Sequence, residues 1–262
     1  MVFPQIDPVI FAVGPFALRW YGLAYVAGFV VAVVVAARLN RRWQVGLSPD
    51  DLMSLLLYGV VGLVVGARVG YMLFYATGQL VSDPLSLFRL GEGGMSFHGG
   101  LAGILLAGAL LSRRLGVSVL RLADLVAVGA PAGIFFGRVA NFVNAELWGR
   151  VTDLPWGVVF PGAGPLPRHP SQLYEAVLEG VVLFVVMLVM ARRKRPDGVM
   201  LGWLLALYGV FRFAVEFVRE PDAHLGLVLG PLSLGQVLTL PVFIAGVWLL
   251  ARARAKDQRL ER

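Results

Sequence analysis

Seven long apolar stretches are the feature that most constrains the fold of this chain. A transmembrane helix needs about 20 consecutive, mostly apolar residues to cross the hydrocarbon core of a bilayer. Stretches of this kind lie at residues 18–38, 52–75, 95–112, 122–143, 172–191, 199–218 and 233–251. The 262 residues are also 58% hydrophobic and only 15% charged, which excludes an ordinary soluble domain and a disordered chain. We therefore predict an all-α, polytopic membrane protein with about seven transmembrane helices.

The basic residues predict the orientation of these helices. Most of the 23 Lys and Arg residues lie after the first stretch, between the third and fourth, between the fifth and sixth, and after the seventh. Because cytoplasmic loops carry an excess of Lys and Arg, we expect the N-terminus outside and the C-terminus in the cytoplasm. The net charge of +7 is then explained by topology, and nucleic-acid binding loses its support.

The chain is predicted to be one integral membrane domain over residues 1–262. Pro4 and Pro8 interrupt its start, which lacks the basic segment of a cleavable signal peptide. The longer loops, 76–94 and 144–171, both fall outside, and we expect the second, rich in Gly and Pro, to form an extracytoplasmic cap. Polar side chains concentrate at the same face: His98, His169, His224, Asn141, Asn144, Glu146, Arg219, Glu220 and Asp222.

Three arginines lie within the predicted helices, where each costs about 2.5–3.5 kcal/mol at the bilayer centre. They are Arg68, Arg138 and Arg212. Arg68 lies beside Gly62, Gly66 and Gly70, whose four-residue spacing predicts close approach of a neighbouring helix. Two interpretations of Arg68 remain equally open: it binds an anionic headgroup, or it clamps a neighbouring helix.

Two helical patterns bring polar groups together. Arg212, Glu216, Arg219 and Glu220 fall on one stripe, which fits either an internal Arg–Glu pair that neutralises itself or part of a larger site. The second pattern consists of Arg138, Asn141 and Asn144, which recur at i, i+3 and i+6. This spacing points a guanidinium and two carboxamides to one helix face, where they suit a phosphate.

Histidines supply the candidate proton acceptors. His98 follows a glycine-rich segment at a helix start, where it either caps the helix or, with an unperturbed pKa near 6.5, takes a proton. Arg168 and His169 precede the fifth helix, in reach of an anionic ligand, and Ser171 is its expected N-cap. The chain contains no cysteine and shows no zinc or nucleotide motif, so we expect neither a metal nor a cofactor.

These blocks resemble the bacterial prolipoprotein diacylglyceryl transferases. The resemblance depends mainly on one signature, Gly137-Arg138-x-x-Asn141-Phe142-x-Asn144-x-Glu146-x-x-Gly149. Four further blocks support it in family order: Arg19-Trp-Tyr21-Gly22, Gly93-Gly-Met-Ser-Phe-His98-Gly-Gly, Arg168-His-Pro-Ser-Gln-Leu-Tyr-Glu175 and Arg212-Phe-x-x-Glu216-Phe-x-Arg219-x-Pro-Asp222.

The resemblance implies a transferase of the bacterial inner membrane with its active site toward the extracytoplasmic leaflet. It would move the diacylglyceryl group of phosphatidylglycerol to the lipobox cysteine of a prelipoprotein, forming a thioether and releasing glycerol 1-phosphate. We expect His98 to accept the thiol proton, and Arg138 and Arg212 to hold the phosphate. The alternative is that the arginine field alone lowers the thiol pKa. Substrate binding is assigned to Arg138 together with Tyr21, Asn141, Asn144, Glu146, Gly149, Arg68, Arg168, His169 and Glu216.

Two other functions share these residues. An anion transporter or channel would line its pathway with arginines, but it predicts polar groups in both halves of the bilayer. A phospholipase would use the same phosphate site with water as the acceptor. The clustering of polar groups at one face favours the transferase over transport, and an acceptor peptide distinguishes it from the hydrolase.

Overall fold

The computed structural model describes residues 1–14, 16–221 and 227–260, so Asp222 and His224 lie outside the described residues. In chain order the elements are β1 (Val9–Val13), β2 (Phe16–Arg19), α1 (Trp20–Trp43), α2 (Pro49–Phe74), α3 (Thr77–Ser82), α4 (Phe97–Leu115), α5 (Val119–Val143), α6 (Ser171–Glu175), a π-helical stretch (Ala176–Val182), α7 (Leu183–Met190), α8 (Val199–Val215), β3 (Leu227–Leu229), β4 (Leu232–Ser233) and α9 (Leu234–Leu260). Short 3-10 helices follow α3.

The prediction of a multi-pass membrane protein is confirmed at the level of its helices. Within the described residues, five helices are long and apolar enough to cross a membrane: Trp20–Trp43, Pro49–Phe74, Val119–Val143, Ser171–Met190 and Leu234–Ala255. Val199–Val215 is a shorter apolar helix, and α4 occupies the place of the third predicted span. A count of seven crossings and their orientation remain predictions.

The chain divides into two compact units. One comprises Met1–Gln44 and Asp124–Arg262, and the other Val45–Ala123. In the second unit a capping box starts α2, because the Ser48 hydroxyl accepts from the Asp51 amide and the Asp51 carboxylate accepts from the Ser48 amide.

The glycines of α2 pack against α4, as their spacing predicts. A Cβ atom on Gly62 or Gly66 would overlap the Gly103 backbone, and one on Gly70 would meet Gly99. Side chains larger than hydrogen at these positions would hold the two helix backbones apart. The close packing of α2 and α4 therefore depends on these glycines.

In the first unit, the segment between α5 and α6 has a small apolar core of its own. Phe3, Val158 and Phe160 are buried there, with Phe142 and Trp148 packed against them. Phe142 belongs to the last turn of α5, so this core attaches the segment to the end of that helix. The segment covers most of the loop predicted as a cap; its position relative to a membrane remains a prediction.

Candidate active site

Three arginines converge on the carboxylate of Glu175. Its Oε2 lies 2.9 Å from Nε of Arg138, and its Oε1 lies 2.8 Å from Nη1 of Arg212 and 3.0 Å from Nη1 of Arg219. The Glu175 side chain is fully buried, while those of Arg212 and Arg219 are each 13% exposed. One carboxylate thus orients guanidinium groups from three different segments, all within the first unit.

A second carboxylate joins this group from α8. Glu216 Oε2 lies 2.7 Å from Nη2 of Arg212, so the internal i, i+4 pair is present and belongs to a larger site as well. Glu216 is held in turn by the Ser233 hydroxyl, which donates to its Oε1 at 2.9 Å. We call these five residues the arginine cluster: Arg138, Arg212, Arg219, Glu175 and Glu216. Three guanidinium groups against two carboxylates leave it one net positive charge.

The prediction that residues 212 to 220 form one helical stripe is wrong beyond Glu216. Helix α8 ends at Val215, and Arg219 instead forms an isolated β-bridge with Gly149. Residues 216–218 form a turn, in which the Arg219 amide still donates to the Val215 carbonyl at 3.1 Å. The Val218 carbonyl instead accepts from the Arg150 amide at 2.9 Å, so a contact with a distant segment takes the place of a further helical bond. Arg219 still reaches Glu175, whereas Glu220 pairs with Arg168, at 2.9 Å.

The end of α5 supplies a polar network beside the cluster. The Asn141 amide nitrogen donates to Glu146 Oε1 at 2.7 Å and to the Tyr21 hydroxyl at 3.2 Å, and its Oδ1 lies 3.5 Å from Nη1 of Arg138. The structure therefore brings together four of the predicted site residues: Tyr21, Arg138, Asn141 and Glu146.

Glu146 sits in a strained turn that follows α5. Ala145 and Leu147, on either side of it, both have positive φ, at 53° and 59°, a region that non-glycine residues rarely adopt. Gln172 and Ser171 hold this turn, because their side chains donate to the carbonyls of Glu146, at 2.5 Å, and Leu147, at 3.0 Å. Such strain persists only where the surroundings impose it.

The N-cap prediction for Ser171 is wrong. Pro170 occupies the N-cap position of α6, and Ser171 is the first helical residue. Its hydroxyl bonds to the Leu147 carbonyl rather than to an amide of its own helix, because the strained turn offers a buried acceptor. Ser171 therefore couples the turn to the helix that carries Glu175.

Gly149 and Arg168 stabilise the backbone next to these groups. The Gly149 amide donates to the His169 carbonyl at 2.8 Å, and a Cβ atom at Gly149 would overlap the Val218 carbonyl and His169. The Arg168 guanidinium donates to the carbonyls of Ala163 and Gly149, at 3.1 and 3.2 Å. The close contacts at Gly149 explain why this position is glycine, and Arg168 already uses three donors within the protein.

His169 belongs to an aromatic group in the same segment. Its Nδ1 lies 3.2 Å from the Tyr174 hydroxyl, which also accepts from the Trp156 ring nitrogen at 2.7 Å. Burial lowers the pKa of the His169 imidazole. The neutral form is therefore favoured at pH 7, which suits hydrogen bonding better than binding of an anion.

Asn144 lies near a different cavity. Together with Val143 and Ala145 it lines a space of about 510 Å³ next to Phe3 and Gln5. Helix α5 ends at Val143, but the Asn144 amide still donates to the Ala140 carbonyl at 2.9 Å, so Asn144 continues the helical hydrogen-bond pattern. Arg138 and Asn141 lie within hydrogen-bond distance of each other, and a face shared with Asn144 stays a prediction.

Two predicted site residues belong to the second unit. The Arg68 guanidinium, which is buried, donates to the carbonyls of Ser86, Leu87, Gly93 and Gly94. This geometry favours a clamp, but on a loop rather than on a neighbouring helix. His98 is the second residue of α4 and is exposed, and Ser96 caps this helix by accepting from the Gly99 amide at 3.2 Å.

Sequence reasoning missed Glu175 as a member of the site, and it placed Arg219 on the α8 stripe without assigning it a role. A signal was present for Glu175, since an acidic residue inside an apolar span is costly and usually functional. Chemically, the cluster presents a positive, preorganised surface that suits one negative charge. In residues 1–14, 16–221 and 227–260, no group of three or more His, Asp or Glu residues is placed to hold a metal ion.

Comparison with known proteins agrees with these features. A sequence model of the family described as prolipoprotein diacylglyceryl transferase matches residues 8–252. The chain is 51% identical over 247 residues to the phosphatidylglycerol–prolipoprotein diacylglyceryl transferase of Geobacter sulfurreducens, covering 94% of this chain and 95% of that protein. Proteins of the same name from Pseudoalteromonas atlantica and Vibrio cholerae are 50% and 51% identical, covering 99% and 98% of this chain and 93% and 96% of theirs.

Proposed function

Because the chain belongs to the prolipoprotein diacylglyceryl transferase family, we propose that it transfers the diacylglyceryl group of phosphatidylglycerol to the lipobox cysteine of prelipoproteins. The observation that carries the proposal is the convergence of three guanidinium groups on a buried carboxylate, next to the Asn141 network. The arginine cluster, with one excess positive charge, suits the single negative charge of a phosphodiester.

The reaction forms a carbon–sulfur bond and breaks a carbon–oxygen bond. The cysteine sulfur attacks the glyceryl CH2 carbon, and glycerol 1-phosphate leaves with the bonding electrons. Negative charge grows on the leaving phosphate, so donors that face it accelerate the step. We assign this role to Arg138 and Arg212, which carry 20% and 13% exposed side chains and are already aligned by Glu175.

The thiol proton goes to His98 in this proposal. A cysteine with a pKa near 8.5 is only a few per cent thiolate at neutral pH, so a base raises the rate. His98 is exposed to an approaching thiol, while burial disfavours protonation of His169, so we assign the role to His98. Asn141, with Tyr21 and Glu146, orients the glycerol headgroup.

The remaining assignments follow from the same proposal. Gly149 and Glu216 shape the site, Arg168 and His169 border it, and Arg68 fixes a loop of the second unit. We also propose seven membrane crossings with the N-terminus outside, a bacterial inner-membrane location, and an active site in the extracytoplasmic leaflet. The basic loops and the position of the polar residues support this arrangement.

The test is a reconstituted reaction. Purified protein, phosphatidylglycerol and a lipobox peptide are mixed, and the peptide is weighed by mass spectrometry. We expect a gain of one diacylglyceryl group, and loss of that gain in Arg138→Gln with the protein still folded. Headgroup release without the acceptor peptide would indicate a phospholipase, and near wild-type transfer by Arg138→Gln would refute the phosphate-binding role.

The base is tested separately with His98→Gln. We expect a slow enzyme whose rate recovers as the pH approaches the thiol pKa, since hydroxide then generates the thiolate and no base from the protein is needed. A rate deficit that is the same at every pH would assign His98 a packing role.

A further inference from the structure

A second buried glutamate lies one helical turn beyond Glu175. Glu179 is fully buried, and among the described residues neither of its carboxyl oxygens has a hydrogen-bond partner. It belongs to the π-helical stretch Ala176–Val182, an arrangement that is rare and often found at functional sites. The next residue, Gly180, packs so closely against Phe135 that a Cβ atom would overlap it.

The charged surroundings of Glu179 are those of the arginine cluster. Glu175 repels its charge, while Arg138, Arg212 and Arg219 attract it. Tyr208 of α8 also lies within its electrostatic range. Each guanidinium is already paired with Glu175, and Arg212 also with Glu216. The positive charges near Glu179 are therefore largely committed to other carboxylates.

An ionised carboxyl group in such a place is very costly. Burial of a carboxylate without a hydrogen bond or a direct ion partner is strongly unfavourable, and the neutral acid is buried at much lower cost. The neighbouring Glu175 carboxylate adds like-charge repulsion. The geometry thus favours the protonated form of Glu179.

The protonation of Glu179 decides the net charge of the site. With a neutral Glu179 the arginine cluster keeps its one net positive charge, whereas an ionised Glu179 would cancel it. A phosphodiester carries one negative charge, so cancellation would remove the attraction that binds it. We propose that Glu179 is a positioning residue that carries a proton and thereby keeps one positive charge available for the phosphodiester. This inference rests on the proposed function.

Infrared spectroscopy of the purified protein in an ester-free detergent tests the proton directly. At pH 7 we expect a carbonyl band of a protonated carboxyl group that shifts in D2O and is absent from Glu179→Gln. Glu220→Gln is the matched control, because Glu220 is half-exposed and paired with Arg168. If the spectrum of Glu179→Gln still contains every such band of the wild-type protein, the proposal is overturned.

The role of the charge is tested by following the same band and the KM for phosphatidylglycerol as the pH rises. Where the band disappears, the wild-type KM should rise at least about tenfold, the effect of one unit charge in a partly screened site. Glu179→Gln has no proton to lose and should lack this step. The proposal is overturned if the KM rises equally in both proteins, or if the wild-type KM does not change when the band is lost. A band that persists at every pH supports it.

The two proposals fail in different ways. The infrared band is measured without lipid or peptide, so it reports on Glu179 even in a protein that transfers nothing. Absence of transfer by the wild-type protein would refute the proposed function and leave the band result standing.

Discussion

Removal of the Glu175 charge should disturb the alignment of the three arginines without weakening their affinity for phosphate. Glu175→Gln keeps the volume of the side chain but removes the partner of three guanidinium groups at 2.8–3.0 Å. The net charge of the arginine cluster then rises from one to two. We expect kcat to fall about 100-fold, the typical effect of a misplacement near 1 Å in an active site. The KM for phosphatidylglycerol should stay the same or fall, because the extra charge attracts the anion.

Stability should change as well. Removal of one partner from a buried ion pair costs about 3–5 kcal/mol, because the remaining charges are left uncompensated. We therefore expect a lower thermal denaturation temperature in detergent for Glu175→Gln. Glu220→Gln is the control, since its pair with Arg168 has the same 2.9 Å length as the Glu175–Arg138 pair but a carboxylate side chain that is 45% exposed. Exposed pairs contribute about 0–1 kcal/mol.

The assay is peptide lipidation followed by mass spectrometry over a range of phosphatidylglycerol concentrations, which separates kcat from KM. A Glu175→Gln enzyme with wild-type kcat would refute the idea that Glu175 aligns the arginines. A large rise in KM with unchanged kcat would also contradict it, since that result would describe lost binding without lost alignment. Glu220→Gln should stay within about twofold of wild type in both constants.

Three further substitutions test the framework. Gly149→Ala places a Cβ atom against the Val218 carbonyl and should lower stability by about 1–3 kcal/mol in thermal denaturation; an unchanged midpoint would contradict the packing. Gly103→Leu should separate α2 from α4 and destabilise the second unit by a similar amount, seen as faster proteolysis between residues 45 and 123, whereas wild-type resistance would argue against close packing. Because burial lowers the pKa of His169 in the folded protein, stability should be complete above pH 6.5 and fall as the pH drops below it; His169→Gln should show a smaller acid loss, and equal losses would contradict the shift.

Local patterns in the sequence predicted contacts that lie within one helix or between two helices with glycine faces. The spacing of Gly62, Gly66 and Gly70 correctly predicts close helix packing, and the i, i+4 spacing correctly pairs Arg212 with Glu216. Both contacts follow from helix geometry alone, which fixes the positions of side chains within one or two turns. The apolar stretches likewise predicted the helices, because a bilayer admits few other structures.

Such local patterns do not predict contacts between distant segments of the chain. Glu175 meets Arg212 and Arg219 across 37 and 44 residues of chain, and no spacing rule links positions so far apart. Helix α8 ends at Val215, and four residues later Arg219 forms a β-bridge with Gly149, which is again a tertiary contact. The interpretation of Arg68 stayed open for the same reason, because its carbonyl partners come from a loop 18 to 26 residues away.

The Glu175 carboxylate also bears on how the enzyme lets go of its product. In the resting protein this carboxylate is already paired with three guanidinium groups, so their charge is largely offset before any anion arrives. Sulfate or inorganic phosphate then gains little by binding there, and departing glycerol phosphate is held only weakly. Rapid turnover and resistance to inhibition by stray ions would both follow from this partial neutralisation.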